Sequence, residues 1–333
     1  MNLNQSPNDP FTQEVQQLRD AYAEKRERTN MCPAASGRQM IDLSIDMLDG
    51  ILCYTYWYEH QCIRLADIPN TMSGNIIALE QNLPESVDHG NYEIIGNDIC
   101  PLLEVPPPPE EDDDSEDIDT LLNSLSIPII EVDSSLHFAK KGKYESEIIN
   151  LLKCQSGSCP GIPKSPHIIQ LLGKSPGGEL VFQKFLSRQY VLGYIYPLSM
   201  YKDWILQIIS GMKVLHSLGI VHRDLRIDNI LFSSDHSRVI ICDLESRWGN
   251  RLAPEVSKDF VLDAGWSEKS DLYDLGYLVK GMIYGNAPVT NAVQWNVPNA
   301  LAAVVEACTR HEPGDRPGLD DVYAMVEKIE IAG

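Results

Sequence analysis

Residues 222–229 read HRDLRIDN. The octet places a carboxylate, Asp224, five residues ahead of a carboxamide, Asn229. Phosphoryl transfer needs such a pair, with the acid at the incoming hydroxyl and the amide on a magnesium ion. The flanks fit a loop held between regular elements. Residues 204–218 are apolar with helical period, and Ile230-Leu231-Phe232 is a short apolar run. Polar loops on a rigid scaffold are where reactive groups are held. A solvated turn is the plainer reading, and the full spacing of charged and amide residues argues against it.

The octet resembles the catalytic loop HRDLxxxN of the eukaryotic protein kinase superfamily. Further motifs stand in that family's order over residues 125–333. VIICDLESRWG supplies Asp243 where the family has the aspartate of DFG, and the resemblance implies a magnesium ligand there. LHFAKKG offers Lys140 and Lys141 for the lysine that steadies the phosphates of ATP. The alanine-to-lysine spacing of the family's VAIK favours Lys141, whereas the apolar run ending directly in Lys140 favours the other, so both stand. Glu147 is the implied partner of that lysine, because Leu151 follows one helical turn later. LAPEV contains Ala253-Pro254-Glu255, SDLYDLG contains Asp271 and Gly276, and CTRHEPGDRP contains Arg316, the implied ion-pair partner of Glu255. The fold class expected is α+β: a two-lobed kinase-like fold with a small β-rich lobe and a helical lobe, preceded by a partly helical N-terminal region.

The chain departs from the family in four places. Residues 120–136 contain no glycine, so no GxGxxG loop precedes the lysine pair to close backbone amides over phosphates. DFG is replaced by Asp243-Leu244-Glu245, which removes a permissive glycine and adds a charge. The segment from Asp243 to Glu255 is 13 residues long, and Ser246 is its only hydroxyl residue. Switching by phosphorylation of that loop is therefore not expected. Arg226 replaces the lysine usual in serine/threonine kinases and remains able to meet the transferred phosphate.

Composition narrows the partners. The chain has 333 residues, 43% hydrophobic and 23% charged, with a net charge of −21. Eight of the ten residues 110–119 (EEDDDSEDID) are acidic. Such a balance excludes nucleic acid and anionic membrane surfaces as expected partners, but not ATP, whose phosphates are met locally with Mg2+. No apolar run reaches membrane-spanning length and no secretory signal opens the chain, so an intracellular protein, cytoplasmic or nuclear, with reduced thiols is expected. Cys154 and Cys159 form a CxxxxC with no second pair nearby to complete a zinc site.

Four regions are expected. Residues 1–105 form an accessory region, a candidate surface for a partner, with helical patterns at 11–28 and 40–63; Ile41, Ile45, Leu48, Ile51 and Leu52 make its apolar stripe. Residues 106–120 form an acidic, proline-rich linker, since four prolines and repelling charges keep the chain extended. Residues 121–185 form the small lobe, where IPIIEV and LHFAKK read as a hairpin about Asp133-Ser134-Ser135, a helix follows at 144–153, and HIIQLLG and ELVFQKF read as strands. Residues 186–333 form the helical lobe. The function expected is transfer of the γ-phosphate of ATP to a protein hydroxyl on an unknown substrate. Catalytic roles fall to Asp224, Arg226 and Asn229, nucleotide binding to Lys140 or Lys141 with Glu147, and metal binding to Asn229 and Asp243. A pseudokinase that binds or scaffolds without turnover, and a small-molecule kinase, are the alternatives.

Overall fold

The computed structural model describes residues 9–28, 40–48, 51–58, 61–66, 90–95, 98–107, 115–247, 249, 252–257, 265–285 and 295–331. Two units divide the chain: Asp20–Asp113 with Val289–Gln294, and the remainder. Helix α1 is Pro10–Arg28, close to the helix read at 11–28.

The smaller unit carries a five-stranded sheet in sequential order: β1 (Met40–Leu48), β2 (Ile51–Tyr58), β3 (Gln61–Ala66), β4 (Tyr92–Ile95) and β5 (Asp98–Pro101). This corrects the helical reading of 40–63. Leu48 pairs with Ile51 and Ile45 with Tyr54 in an antiparallel ladder. The physical reason lies in ILCYTYWY, rich in the β-branched and aromatic residues that pack on a pleated surface. The intervening Asp49-Gly50 is a dipeptide favoured between hairpin strands. Apolar residues three or four apart do not alone exclude a strand. Thr55, Tyr56 and Trp57 are all buried, so both faces of β2 are covered there. The side chains of the Ile41–Leu52 stripe lie outside the described residues, as does the first half of the acidic block (110–114).

The larger unit has the α+β plan. Its small lobe begins earlier than the linker boundary at 120: Ser115–Ile118 lead into α2 (Asp119–Ser124), with Ile118 and Leu122 buried. Apolar side chains within an acidic stretch account for the difference, because they have a core to enter. Three strands follow, β6 (His137–Lys140), β7 (Leu171–Lys174) and β8 (Leu180–Gln183), in the order β6-β8-β7. Helix α3 (Glu145–Cys154) connects β6 to β7. The hairpin between IPIIEV and LHFAKK does not form. Ile129 makes an isolated parallel bridge to Lys174, and Ile130 N–H donates to Lys174 O at 2.8 Å, at the far edge of the sheet from β6. Asp133 O instead accepts the amides of Leu136 and His137, turning the chain tightly before β6. Among the described residues no strand covers the outer edge of β6.

The helical lobe contains α4 (Arg188–Val191), α5 (Leu198–Ser217), β9 (Ile230–Phe232), β10 (Val239–Ile241), α6 (Pro254–Ser257), α7 (Glu268–Tyr284), α8 (Asn299–Cys308) and α9 (Leu319–Glu327). Tyr201, Trp204, Ile205, Ile208, Met212 and Leu215 are spaced to line one face of α5 and are buried, the burial that sustains a helix in a folded core. Ser267 and Ser270 cap the start of α7 reciprocally. The first half of α1 belongs to this unit: Phe11 packs on Tyr201 at 5.5 Å, and Val15 is fully buried. Arg19 donates to the carbonyls of Ile283 (2.7 Å) and Leu192 (3.1 Å). The accessory region drawn at 1–105 is thus divided after Arg19. No helix among the described residues is long and apolar enough to cross a membrane.

Candidate active site

The loop at 222–229 is pinned from below by one carboxylate. Asp271, buried in the first turn of α7, accepts the amides of His222 (2.8 Å) and Arg223 (2.9 Å), and lies 2.8 Å from His216 Nε2. His222 Nε2 lies 2.9 Å from Cys242 O, which ties the loop to the residue before Asp243. Arg223 takes a left-handed φ of 71°, a conformation that costs a non-glycine residue and persists where surrounding bonds impose it. Asp271 was visible in the sequence as a motif residue; its role as the loop's anchor was not.

Asn229 closes a single 3₁₀ turn, Ile227–Asn229, and its Nδ2 donates to both Asp224 O and Asp224 Oδ2 at 2.8 Å. Both amide hydrogens are thereby used, and the amide oxygen is the end left to meet a cation. Arg226 Nε lies 3.6 Å from Asp224 Oδ2, beside the same carboxylate, with its side chain 55% exposed. Asp224, Arg226 and Asn229 are therefore brought together.

Lys140 is the last residue of β6, and Lys141 lies just beyond the strand. Lys140 Nζ lies 2.8 Å from Glu147 Oε1 and 3.1 Å from Asp243 Oδ1, whereas Lys141 is exposed. The structure thus brings Lys140, and not Lys141, to the other site residues. Burial alone would lower the Lys140 ammonium, but Glu147 and then Asp243 outweigh it and hold it charged well above the ordinary value. Glu147 is 2% exposed, and burial raises its carboxyl against the opposing pull of Lys140.

Asp243 sits at a left-handed φ of 65°, which aspartate tolerates better than most residues. The loop that follows is tied to α3. Ser146 Oγ donates to Glu245 O at 2.8 Å, and Asn150 Nδ2, one helical turn on, donates to Leu244 O at 2.8 Å and Ser246 Oγ at 3.2 Å. Leu244 is fully buried. A Ser–Asn pair four residues apart on the Glu147 helix was the only sequence signal for these ties, and it is weak. Gly249 runs against the 222–229 loop, since a Cβ there would stand 2.1 Å from Arg223 O.

Lys140, Glu147, Asn229 and Asp243 line one cavity of about 400 Å³. Ile169, Phe182, Leu231 and Cys242 supply an apolar wall, and Phe138, half exposed on the uncovered strand β6, lines it as well. An apolar slot with a few convergent polar groups at one end is the form of a small-molecule site.

The Glu255–Arg316 pair is present. Arg316, with a fully buried side chain, donates to Glu255 Oε1 at 2.6 Å and Oε2 at 2.8 Å, and also to the carbonyls of Lys269, Arg310 and His311. Bidentate geometry with every remaining donor used is the arrangement in which a buried pair is tolerated.

The model of the protein kinase domain family matches residues 174–324. Among curated relatives, a probable serine/threonine-protein kinase of Dictyostelium discoideum is 24% identical, with 52% of this chain and 21% of that protein covered. A LIM domain-containing probable serine/threonine-protein kinase of the same organism is 25% identical, over 49% of this chain and 28% of its own length. The serine/threonine-protein kinase pim-2 of Danio rerio is 26% identical, over 52% of this chain and 65% of that protein. This chain spans only about a fifth to a quarter of the two Dictyostelium proteins. Lys140 and Glu147 lie ahead of the family match, and there the geometry carries the likeness. Over residues 174–324, the chain is similar to the protein kinase domain family.

Proposed function

We propose that this domain moves the γ-phosphate of ATP to a protein hydroxyl, with Asp224 as the group that orients the acceptor. The observation that supports the reading best is the convergence of Lys140, Glu147, Asn229 and Asp243 on one cavity, with Asp224 hydrogen-bonded to Asn229 at its edge.

The residues present fit both ATP and magnesium. The wall of Ile169, Phe182 and Leu231 suits a purine, and the polar end begins at Lys140. Magnesium takes one or two protein oxygens together with substrate phosphates, and Asp243 with the amide oxygen of Asn229 supplies two. When bound, the ion would offset charge on the phosphate oxygens. Lys140 grips phosphate oxygens, its charge secured by Glu147. Asp224 accepts a hydrogen bond from the acceptor hydroxyl and takes its proton as that oxygen attacks. Arg226 lies near enough to Asp224 to neutralise the phosphoryl group in transit. Positioning and electrostatics of this kind make up nearly all of the protein's part in phosphoryl transfer.

A second reading is a kinase-like module that binds without turnover. Glu245 favours it, since its Oε1 stands 3.8 Å from Lys140 Nζ and competes with phosphate for the ammonium. The uncovered edge of β6 favours it too, because no glycine-rich turn is available there among the described residues to close over phosphates.

The deciding experiment follows γ-phosphate from Mg·ATP to the protein itself and to a mixed protein panel, beside the Asp224→Asn variant. Transfer should fall by about a hundredfold or more in the variant, with nucleotide binding retained. Undiminished transfer by the variant would sink the role given to Asp224. No transfer by either protein would favour the second reading.

A further inference from the structure

We propose that Glu116, from the acidic stretch ahead of the small lobe, is a positioning residue that clamps α3 in place and so holds Glu147 on Lys140 without an added phosphate. The inference builds on the reading above, in which Lys140 and Glu147 serve a nucleotide.

The Glu116 carboxylate meets Glu145 and Arg247. Its Oε2 accepts the amide of Glu145, the first residue of α3, at 2.8 Å. Its Oε1 accepts from Arg247 Nη1, two residues beyond Glu245. Its own amide donates to Lys143 O at 2.8 Å. The Arg247 guanidinium stands 4.6 Å over the ring of Tyr144, the residue capping α3, so arginine, carboxylate and helix terminus form one cluster. Helix α3 has no side-chain cap of its own at Tyr144. An ionised acceptor at that end is favoured both by the unpaired amides and by the helix dipole.

Glu116 is held by its neighbours. Ile118 is buried against Gly142, where a Cβ would meet Ile118 Cδ1 at 2.6 Å and Leu180 Cδ1 at 3.1 Å. Leu122 of α2 is buried two residues short of that helix's end. A carboxylate anchored in this way reaches the helix terminus already ordered.

The consequence lies along α3. Glu145 binds Glu116, Ser146 binds Glu245 O, Glu147 binds Lys140, and Asn150 binds Leu244 O. The first two turns of the helix are fastened towards the site, and the Glu116–Arg247 ion pair stands with the Lys140 pair among these ties. An anion joining an arginine to a helix N-terminus is what phosphorylation of a loop residue creates. Ser246, the sole hydroxyl residue between Asp243 and Glu255, instead accepts from Asn150 on α3. Glu116 supplies the anion permanently, encoded in the chain.

The test uses the full chain and three variants, Glu116→Gln, Glu116→Ala and Arg247→Met. Hydrogen exchange of peptides from 145–152 is followed without nucleotide, and affinity for a fluorescent ATP analogue with magnesium is titrated separately. Exchange should accelerate about threefold to tenfold in Glu116→Ala and less in Glu116→Gln, whose amide oxygen still accepts from Glu145. Peptides from α5 should not change, and nucleotide affinity should fall in the same rank order. Unchanged exchange over 145–152 in all three variants would overturn the clamp. Faster exchange with unaltered nucleotide affinity would overturn its positioning role and leave only a structural one. If the native chain binds no nucleotide while the variants loosen α3, the clamp stands and the nucleotide reading of the cavity fails.

Discussion

Glu245 places its Oε1 3.8 Å from Lys140 Nζ, so that a third carboxylate joins Glu147 and Asp243 around one ammonium. Burial, followed by the charge of Asp243, pushes the Glu245 carboxyl up to about 7, against the opposing pull of Lys140. A pKa raised on folding means that the folded chain keeps a proton where the unfolded chain has lost it. The contribution of this group is therefore fully present below about 4.5, and stability is lost as pH rises from there to about 7. Glu245→Gln should remove that slope. Thermal melts from pH 4 to 9 should show the variant more stable than the native chain above neutrality, with the gap closing towards pH 4. A native-like slope in the variant would place the titrating group elsewhere.

The two adjacent lysines should separate cleanly. Lys140 lines the cavity and holds Glu147, while Lys141 is exposed. Lys140→Met removes a charge-assisted partner of phosphate and should weaken Mg·ATP binding by about tenfold or more, since such bonds contribute about 1.5–3 kcal/mol. Lys141→Met should leave binding within about twofold, as surface substitutions away from special features do. Titration with a fluorescent nucleotide distinguishes the two, and the reverse ranking would refute the assignment of Lys140.

Arg316 offers a stability test independent of the nucleotide. Removing it strands the Glu255 carboxylate and three carbonyls without their donor. Arg316→Met should cost about 3–5 kcal/mol in urea unfolding. Lysine should rescue little, because it lacks the planar fork that meets both carboxylate oxygens.

Asp274 presents the opposite case. Both of its carboxylate oxygens are buried without a hydrogen-bond partner among the described residues. Burial, with Asp271 and Asp224 next in order, raises its carboxyl well above the ordinary value. As with Glu245, this contribution weakens the fold as pH rises above the usual aspartate range. Asp274→Asn, nearly isosteric and uncharged, should raise the melting temperature at neutral pH by about 2 °C or more. The gain should shrink as pH falls towards 4. A lower melting temperature in the variant would show that the carboxylate is ionised and paired in the fold.

Much of the site is legible in the sequence because its parts are local. Asp224 and Asn229 sit five residues apart in one turn, and the backbone of that turn brings their side chains together. The strands β7 and β8 and the helix α3 are marked by short apolar runs and by period. Residues 40–66 are not: a stripe three or four residues apart admits helix and strand alike, and pairing with a neighbour decided between them. The hairpin expected before β6 failed for a related reason. Ile129 found its partner in Lys174, at the other edge of the sheet, and no local pattern records that choice.

The chain itself determined the 222–229 loop, the Asp243 position and the Glu255–Arg316 pair, since motif spacing or complementary charge marks each residue. Tertiary structure alone decided that Lys140 and not its neighbour turns inward, because the pairing of β6 with β8 orients Lys140 while Lys141 lies beyond the strand. It alone also brought Glu116 to Arg247, 131 residues away, since the meeting of distant charges depends on how α3 packs rather than on any period in the sequence.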